Sequence, residues 1–435
     1  MFQISRDTIL TPQIVSRFLQ KDAANNARKQ KLYNYYKGNS VIKRRAMADS
    51  SKPNNKLNNP FASYITDLTI GYFVGKPIQY SSAEEGLIDE LRAIYIYNDE
   101  EAENAELAKN CSIFGEAYEV MYLDESSQIH FDVLSSIGAI PIYDDSVRGK
   151  LMYFIRYYDF YDIIQERTII KLEVYTSEEI WYGTADGWSV KITEKKPHNW
   201  YDVPIIVYQN NPEGIGDFEN VISLIDAYDI MESDTINDME YFNDAYLALY
   251  GLEGTEPEDI ASMKEQRVLL MPNDSEAEWL IKSMNDTYIE NEKARLEKDI
   301  HKFSYVPPMT DENFAANASG VAMKYKLMGL ENVTAKKERA FKKGLQRRIR
   351  LITNIISLYG ASYDWRSISI LFTRNIPSNV VEMADVVSKI GSLYSEETQM
   401  KMIPIDVNYE EEQKKKEQER ENGYSIDFNT GTSDE

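Results

Sequence analysis

Cysteine is nearly absent from the chain: its 435 residues hold one, Cys111. No disulfide can form within the chain, a cysteine-based zinc site is not expected, and the composition suits a reducing compartment. Histidine is almost as scarce, with His130, His198 and His301 and no second histidine at ligand spacing from any of them. No apolar run approaches the roughly 18 residues that a membrane span needs, so no membrane partner is expected. The start, MFQISRDTIL, lacks a basic stretch followed by an apolar core, so no signal peptide is expected. Positive charge is in deficit: 48 Lys and Arg stand against 71 Asp and Glu, net −23. Phosphate affinity comes from Lys and Arg, which argues against a general nucleic-acid binder. The chain does have enough apolar residues to fold. Hydrophobic residues make up 43% and charged residues 27%. That excludes wholesale disorder and collagen-like fibres, and at roughly 150 residues per domain the length implies two or three packed units.

The charge is unevenly placed. From Glu213 to Ile300, 23 acids face 6 bases, net −17. Arg28 to Lys56 holds nine bases and one acid, and Met323 to Arg350 ten bases and two acids. An acidic middle flanked by basic segments can pair with itself or with further copies of the chain.

Hydrophobic periodicity predicts the following order. Residues 1–36 read as helical. Residues 37–60, with KGNS and SSKPNNKLNNP, form a loop. Residues 61–76 and 84–115 are helical, the latter as a pair. Then the period drops to two: 116–123, 128–134, 151–158, 167–175, 178–183 and 188–193 read as an antiparallel meander of five or six strands, with 203–210 as a further one. Val221, Ile225, Tyr228, Met231, Ile236, Met239, Phe242 and Tyr246 form a helical stripe over 221–246. Residues 251–286 break at glycines and prolines, with strands at 267–271 and 276–281. Helix returns over 286–303. A polar loop at 309–320 precedes a long helical pattern to Tyr359, a strand at 367–376, a helical pair at 379–403 and, from Tyr409, a charged tail read as a frayed helix and disorder.

Enzyme motifs are missing. Gly71-Tyr72-Phe73-Val74-Gly75-Lys76-Pro77 has three residues between its glycines where a phosphate loop needs four, and Pro where Ser or Thr would hold magnesium. It reads better as a helix end with Gly75 as cap and Pro77 as stop. Asp144-Asp145 has the chemistry for a divalent metal but sits in a turn, where Asp is ordinary. Cys111 has no nearby histidine and reads as packing. No catalytic constellation emerges and no cofactor is expected, which favours a structural or assembly protein over an enzyme. Rival readings are another kind of assembly or connector component, and a metal-dependent nuclease built on Asp144 and Asp145.

Three segments, in this order, carry a resemblance: YYKGNSVIKRR (35–45) with NNKLNNPFASYITDLTIGYFVGKPIQY (54–80); GIGDFENVISLIDAYDIMESDTINDMEYFNDAYLALYG (214–251); and ASGVAMKYKLMGLENVTAKKERAFKKGLQRRIRLI (318–352). Together they resemble the portal proteins of tailed double-stranded DNA bacteriophages of the siphophage type, over about residues 30–400. The resemblance implies an α+β portal fold. Its parts would be a wing of helices (1–115) and strands (116–220), a first stem helix (221–246), a clip (247–285) and a second stem helix (286–305). A tunnel loop (306–319), a long tunnel-to-wing helix (320–360), a wing return strand (361–378) and a helical crown (379–409) would follow, with a charged tail (410–435) beyond.

It also implies a ring of twelve subunits at one capsid vertex of the virion. The partners implied are terminase, capsid and scaffold proteins, a head–tail adaptor, and double-stranded DNA passing without sequence specificity. ATP hydrolysis would belong to the terminase. An acidic channel wall would repel phosphates, with Glu232, Asp238 and Glu240 as candidates because they lie off the apolar stripe. The tunnel loop would present Thr310, Asp311, Glu312, Asn313, Phe314 and Asn317 to DNA. It carries no lysine, so steric contact is favoured over an electrostatic grip. The basic segment with Lys43, Arg44 and Arg45 would contact a neighbouring subunit or the capsid in preference to DNA. The basic run Lys336, Lys337, Arg339, Lys342, Lys343, Arg347, Arg348 and Arg350 would meet acids of an adjacent protomer.

Overall fold

A strand opens the chain where periodicity predicts only helix. In the computed structural model, β1 (Phe2–Ile4) precedes α1 (Pro12–Tyr36), whose Thr11 caps the Ile14 amide and whose Pro12 starts the first turn. The structure describes residues 2–49, 52–242, 246–250, 276–280, 286–309, 320–358, 360 and 363–375, with short stretches at 387–389, 393–396, 398–399 and 409–421. Two compact units emerge: Met1–Met309 with Leu327–Arg374, and Thr310–Lys326 with Asn375–Glu435.

In the first unit, α2 (Phe61–Val74) ends at Gly75, as the sequence predicts. After β2 (Gln79–Ser81), α3 (Glu85–Tyr97) and α4 (Glu100–Phe114) are separated by Asp99, whose φ of 48° breaks the helix. The strands β3 (Glu116–Leu123), β4 (Ile129–Leu134), β5 (Ala139–Asp144), β6 (Leu151–Asp162), β7 (Arg167–Tyr175), β8 (Glu179–Asp186), β9 (Ser189–Pro197) and β10 (Ile205–Gln209) do not form one meander. They build a six-stranded sheet in the order β1-β5-β6-β7-β8-β9 and a separate three-stranded sheet, β10-β3-β4. β5, AIPIYD, is the strand that periodicity missed, because Pro141 sits within it and it is buried on both faces. It pairs parallel with β1 and antiparallel with β6.

Next come α5 (Ile222–Phe242), β11 (Tyr246–Tyr250), β12 (Glu276–Leu280) and α6 (Asp286–Ser304). The first long helix is thus shorter than its stripe: Tyr246 belongs to a strand, which pairs antiparallel with β12. The expected strand at 267–271 lies outside the described residues. In the second unit α7 (Gly320–Lys326) is a short helix. The pattern expected as one long helix turns at Leu327 and continues in the first unit as α8 (Met328–Leu358). A short strand, β13 (Ser369–Leu371), pairs with β2. In the second unit α9 (Tyr409–Glu421) occupies part of the expected tail, and most of the expected crown lies outside the described residues.

Apolar burial follows the helical stripe of α8. Phe341, Leu345, Ile349 and Ile352 pack among Phe73 of α2, Leu87 and Leu91 of α3, Leu107 of α4, and strand residues including Met121 and Tyr208. A second core sets Val15, Phe18 and Leu19 of α1 on Ile140, Ile155, Leu172 and Val174 of the large sheet. A third, with Tyr118, Leu134, Phe154, Tyr175 and Ile205, draws on strands of both sheets. At roughly 1.5–3 kcal/mol for each large side chain fully buried, these clusters dominate the fold's stability.

Candidate functional site

Three places in the first unit carry chemistry beyond packing: the α5–α6 pair, the loop it grips, and the basic run on α8.

The loop at 53–60 has no regular secondary structure, so its backbone amides need acceptors from elsewhere. α5 supplies one per turn. Asn59 N donates to Asp229 Oδ1 at 2.8 Å, Leu57 N to Ser233 Oγ at 3.0 Å, and Asn55 N to Asn237 Oδ1 at 2.7 Å. Every second loop residue meets every fourth helix residue. The spacings match: about 6.6 Å for two extended residues and about 6.0 Å for four helical ones. Ser40 Oγ adds a bond to Asp229 Oδ2 at 2.7 Å, and Tyr35 donates to Asp226 at 2.6 Å. Burial pushes the Asp229 carboxyl up, against the pull of the Asn59 bonds. The buried face of α5 therefore continues as Asp229, Ser233 and Asn237 beyond Ile225, while Ile230 and Met239 are exposed. Sequence reasoning took the apolar stripe as the packed face; the polar spacing 229, 233, 237 was the signal it missed.

The channel candidates divide. Glu232 is half-buried and bonded to Lys293 of α6 at 2.6 Å. Glu240 is exposed and accepts from Asn55 Nδ2 at 2.9 Å. Asp238 is half-buried. At 100° per residue the three point in different directions around α5, so no single wall contains all of them. Of the basic segment, Arg45 is already engaged, with Asp234 at 2.6 Å and the Asn55 carbonyl at 3.1 Å, while Lys43 and Arg44 are exposed. Thr310, Asp311, Glu312, Asn313, Phe314 and Asn317 lie outside the described residues.

α5, α6 and the start of α2 meet at a ring cluster. Phe61 stands edge-on to Tyr228 at 5.2 Å, and Tyr64 edge-on to His301 at 5.6 Å. Beyond α6 the Tyr64 hydroxyl bonds the Pro307 carbonyl and the Met309 amide, fixing where the chain leaves toward residue 310.

The basic run on α8 is mostly spent inside the chain, contrary to the expectation that an adjacent protomer holds it. Lys337 pairs with Asp217, with both side chains buried. Lys342 donates to the Ile370 carbonyl, and Arg347 to the carbonyls of Ile205 and Val203. Arg347 and Arg350 share Asp202. Arg348 is fully buried against Glu119 at 2.5 Å and Asn104 at 2.9 Å, stacked over Phe131. Burial pushes the neighbouring Glu100 carboxyl up, and the Arg348 guanidinium opposes it. Lys336, Arg339 and Lys343 remain exposed on one face. They line a cleft of about 690 Å³ with the 209–217 turn, Phe303 and Tyr305.

The sites considered for enzymes are occupied by structure. Asp144 accepts from Ser146 N and Oγ, Lys150 N and Arg6 Nε, which closes the β5–β6 turn and tethers the segment after β1. His130 lies on its strand with Nε2 3.3 Å from Asp124, and Cys111 is buried in the main core. Among the described residues no group of three or more His, Cys, Asp or Glu is placed to hold a metal ion. No described helix is long and apolar enough to cross a membrane.

A helix pair interrupted by an insert, beside a strand-rich body, is the architecture expected of a portal connector. Residues 16–424 match the family described as Phage portal protein, SPP1 Gp6-like, and the chain belongs to that family. It is 25% identical over 387 residues to the portal protein of Bacillus phage SPP1, covering 84% of this chain and 76% of that protein. It is 24% identical over 404 residues to the portal protein of Clostridium phage phiCD119, covering 84% of this chain and 87% of that one. Among solved structures it is similar to a chain in the neck of an empty GTA particle (TM-score 0.48, 15% identity, 79% of this chain and 90% of that one). It is likewise similar to one in the virion of a native gene transfer agent particle (TM-score 0.47, 14% identity, 86% and 92%). The chain is a bacteriophage portal protein, a head–tail connector component of the virion.

Proposed function

We propose that this portal protein works as a closed ring, twelve copies around one axis at a single capsid vertex, and that double-stranded DNA passes through the ring on packaging and ejection. The observation that carries the reading is the family match across residues 16–424, combined with the α5–α6 pair and its insert. In this reading α5 and α6 form the stem, the insert from residue 247 to 285 is the clip that meets terminase and then the head–tail adaptor, and the 306–319 loop faces the DNA. The remaining wing contacts capsid and scaffold proteins. The role is mechanical: ATP hydrolysis belongs to the terminase, and this chain needs no cofactor. The net −17 of the segment from Glu213 to Ile300 supports a channel that slides past phosphate without holding it, because repeated copies turn each exposed acid into a ring of charge. Of the three candidate acids Glu240 is the exposed one, whereas Glu232 is neutralised by Lys293 and Asp238 is half-buried. Native mass spectrometry at low and high salt tests the ring. Twelve copies of 50.3 kDa give about 600 kDa, and a head-to-tail interface that closes on itself yields one such species. A monomer at every salt, even with scaffold or capsid protein added, would overturn the ring.

A further inference from the structure

The three cations that α8 leaves unspent are the starting point. Lys336, Arg339 and Lys343 recur at spacings of three and four, so they share one face, and none has an ion-pair partner among the described residues. Their cleft is not purely polar: Phe303 and Tyr305, both about half exposed, stand at its edge, and Val333 and Ala340 lie between the cations. The three cations outweigh the exposed Glu213 of the 209–217 turn, and with its aromatic edge the cleft suits an acidic helix carrying apolar anchors better than a duplex that offers only phosphates.

The chain itself carries such a helix face. On α3, Asp89, Glu90, Ile96 and Tyr97 point outward together, with Asp99 and Glu101 just beyond. Ile96 is 73% exposed and Tyr97 60%, unusual for such side chains on a packed helix. One base, Arg92, lies among them, 3.9 Å from Asp89, and the face stays net acidic. The cleft is built by the 209–217 turn, α6 and α8, whereas the knob is built by α3. One copy can therefore offer both surfaces at once, which a head-to-tail ring requires and a two-fold dimer does not.

We propose that the α3 face of one copy, anchored by Ile96 and Tyr97, docks into the Lys336–Arg339–Lys343 cleft of the next copy. This rests on the ring reading and specifies one of its subunit contacts.

Charge exchange tests it in the full-length protein. Lys336→Glu with Lys343→Glu, and separately Asp89→Lys with Glu90→Lys, should each cut the ring species in native mass spectra by about tenfold or more, and the quadruple variant should restore it. Parent rings that persist in both double variants, or a loss that the quadruple variant does not rescue, would overturn the docking while leaving the ring intact as a reading. Tyr97→Cys with Lys343→Cys adds a readout independent of charge: mild oxidation should give a ladder of covalent oligomers, and rings without a ladder would count against the contact. A duplex oligonucleotide probes the competing occupant. If the parent binds it, and the Lys336→Glu, Lys343→Glu variant loses that binding with its rings unchanged, the cleft holds phosphate and the proposal fails. A parent that is monomeric at every salt overturns the ring reading and the docking with it.

Discussion

Arg348 and Glu119 form an ion pair with no exposed surface on either side chain, the Arg348 Nη2 lying 2.5 Å from Glu119 Oε1 in the middle of the main core. The pair ties α8 to β3 across 229 residues of sequence. Tyr208 also donates to Glu119, at 2.9 Å, so the carboxylate is fully engaged. Breaking such a pair from one side leaves a buried charge uncompensated, at about 3–5 kcal/mol. Arg348→Met should therefore lower stability by about that amount, read as a shift in the denaturant midpoint. Arg348→Met with Glu119→Gln should lose less than the two single changes together, because no lone carboxylate then remains at position 119. A single variant with the parent's midpoint would show that α8 is held by its apolar stripe alone.

The ladder between α5 and the 53–60 loop gives a local effect. Ser233→Ala and Asn237→Leu each strand a loop amide, that of Leu57 or of Asn55. Each loss should cost about 1–3 kcal/mol, spent on freeing the loop rather than unfolding the unit. Lys56, which is followed by Leu57, makes the loop cleavable by trypsin, whereas the Lys52–Pro53 bond resists it. Cleavage there should quicken by roughly 5–150-fold, as expected for about 1–3 kcal/mol, while circular dichroism stays that of the parent. Unchanged cleavage in both variants would mean that the ladder does not hold the loop.

Much of this fold can be read in the sequence because its helices announce themselves by period and punctuation. Phe341, Leu345, Ile349, Ile352 and Ile356 recur at helical spacing and are the buried face of α8; Gly75 and Pro77 end α2 where expected. β7 matches its predicted span, since Val174 and Leu172 alternate with polar neighbours. What period could not supply was partnership. Nothing local tells that β10 pairs with β3 and β1 with β5, which splits the strands between two sheets, because those partners are distant in sequence. The family was legible from three ordered segments. The polar ladder was not, because Asp229, Ser233 and Asn237 look like a solvated face until the loop that covers them is in place. The basic run misled for the matching reason: Asp217, Asp202 and Glu119 lie more than 100 residues away in the chain.

At Gly344 the α8 backbone lies close against Tyr208 of the small sheet. A Cβ there would stand 2.3 Å from Cδ1 of Tyr208, whose ring is held by its bond to Glu119 and by its contact with Phe341. In an exposed helix, replacing glycine by alanine gains about 1 kcal/mol. Here the sign reverses. Gly344→Ala should destabilise by about 1–3 kcal/mol through overpacking, and Gly344→Ala with Tyr208→Leu should recover part of it. A Gly344→Ala protein more stable than its parent would show that the Tyr208 ring can swing away.

Acid should loosen the N-terminal segment through Asp144. The Ser146 hydroxyl, aided by the Lys150 and Ser146 amides and by Arg6, holds this carboxyl down to about 2, against an ordinary value of 3.8. A folded-state pKa below the unfolded one means that ionised Asp144 stabilises the fold. That contribution is complete above about 3.8 and is lost as pH falls through about 2. The β5–β6 turn should therefore persist at pH 4 and open near pH 2, and the strand that Arg6 helps tether should lose amide protection in the same interval. Hydrogen exchange at residues 2–4 and 144–150, followed from pH 4 to pH 2, reads this directly. Asp144→Asn should abolish the acid step. Ser146→Ala should move it upward, and more than Arg6→Ala does, since the Arg6 side chain is 60% exposed and screened by water. An acid step of unchanged midpoint in Ser146→Ala would show that the hydroxyl is not what holds the carboxylate.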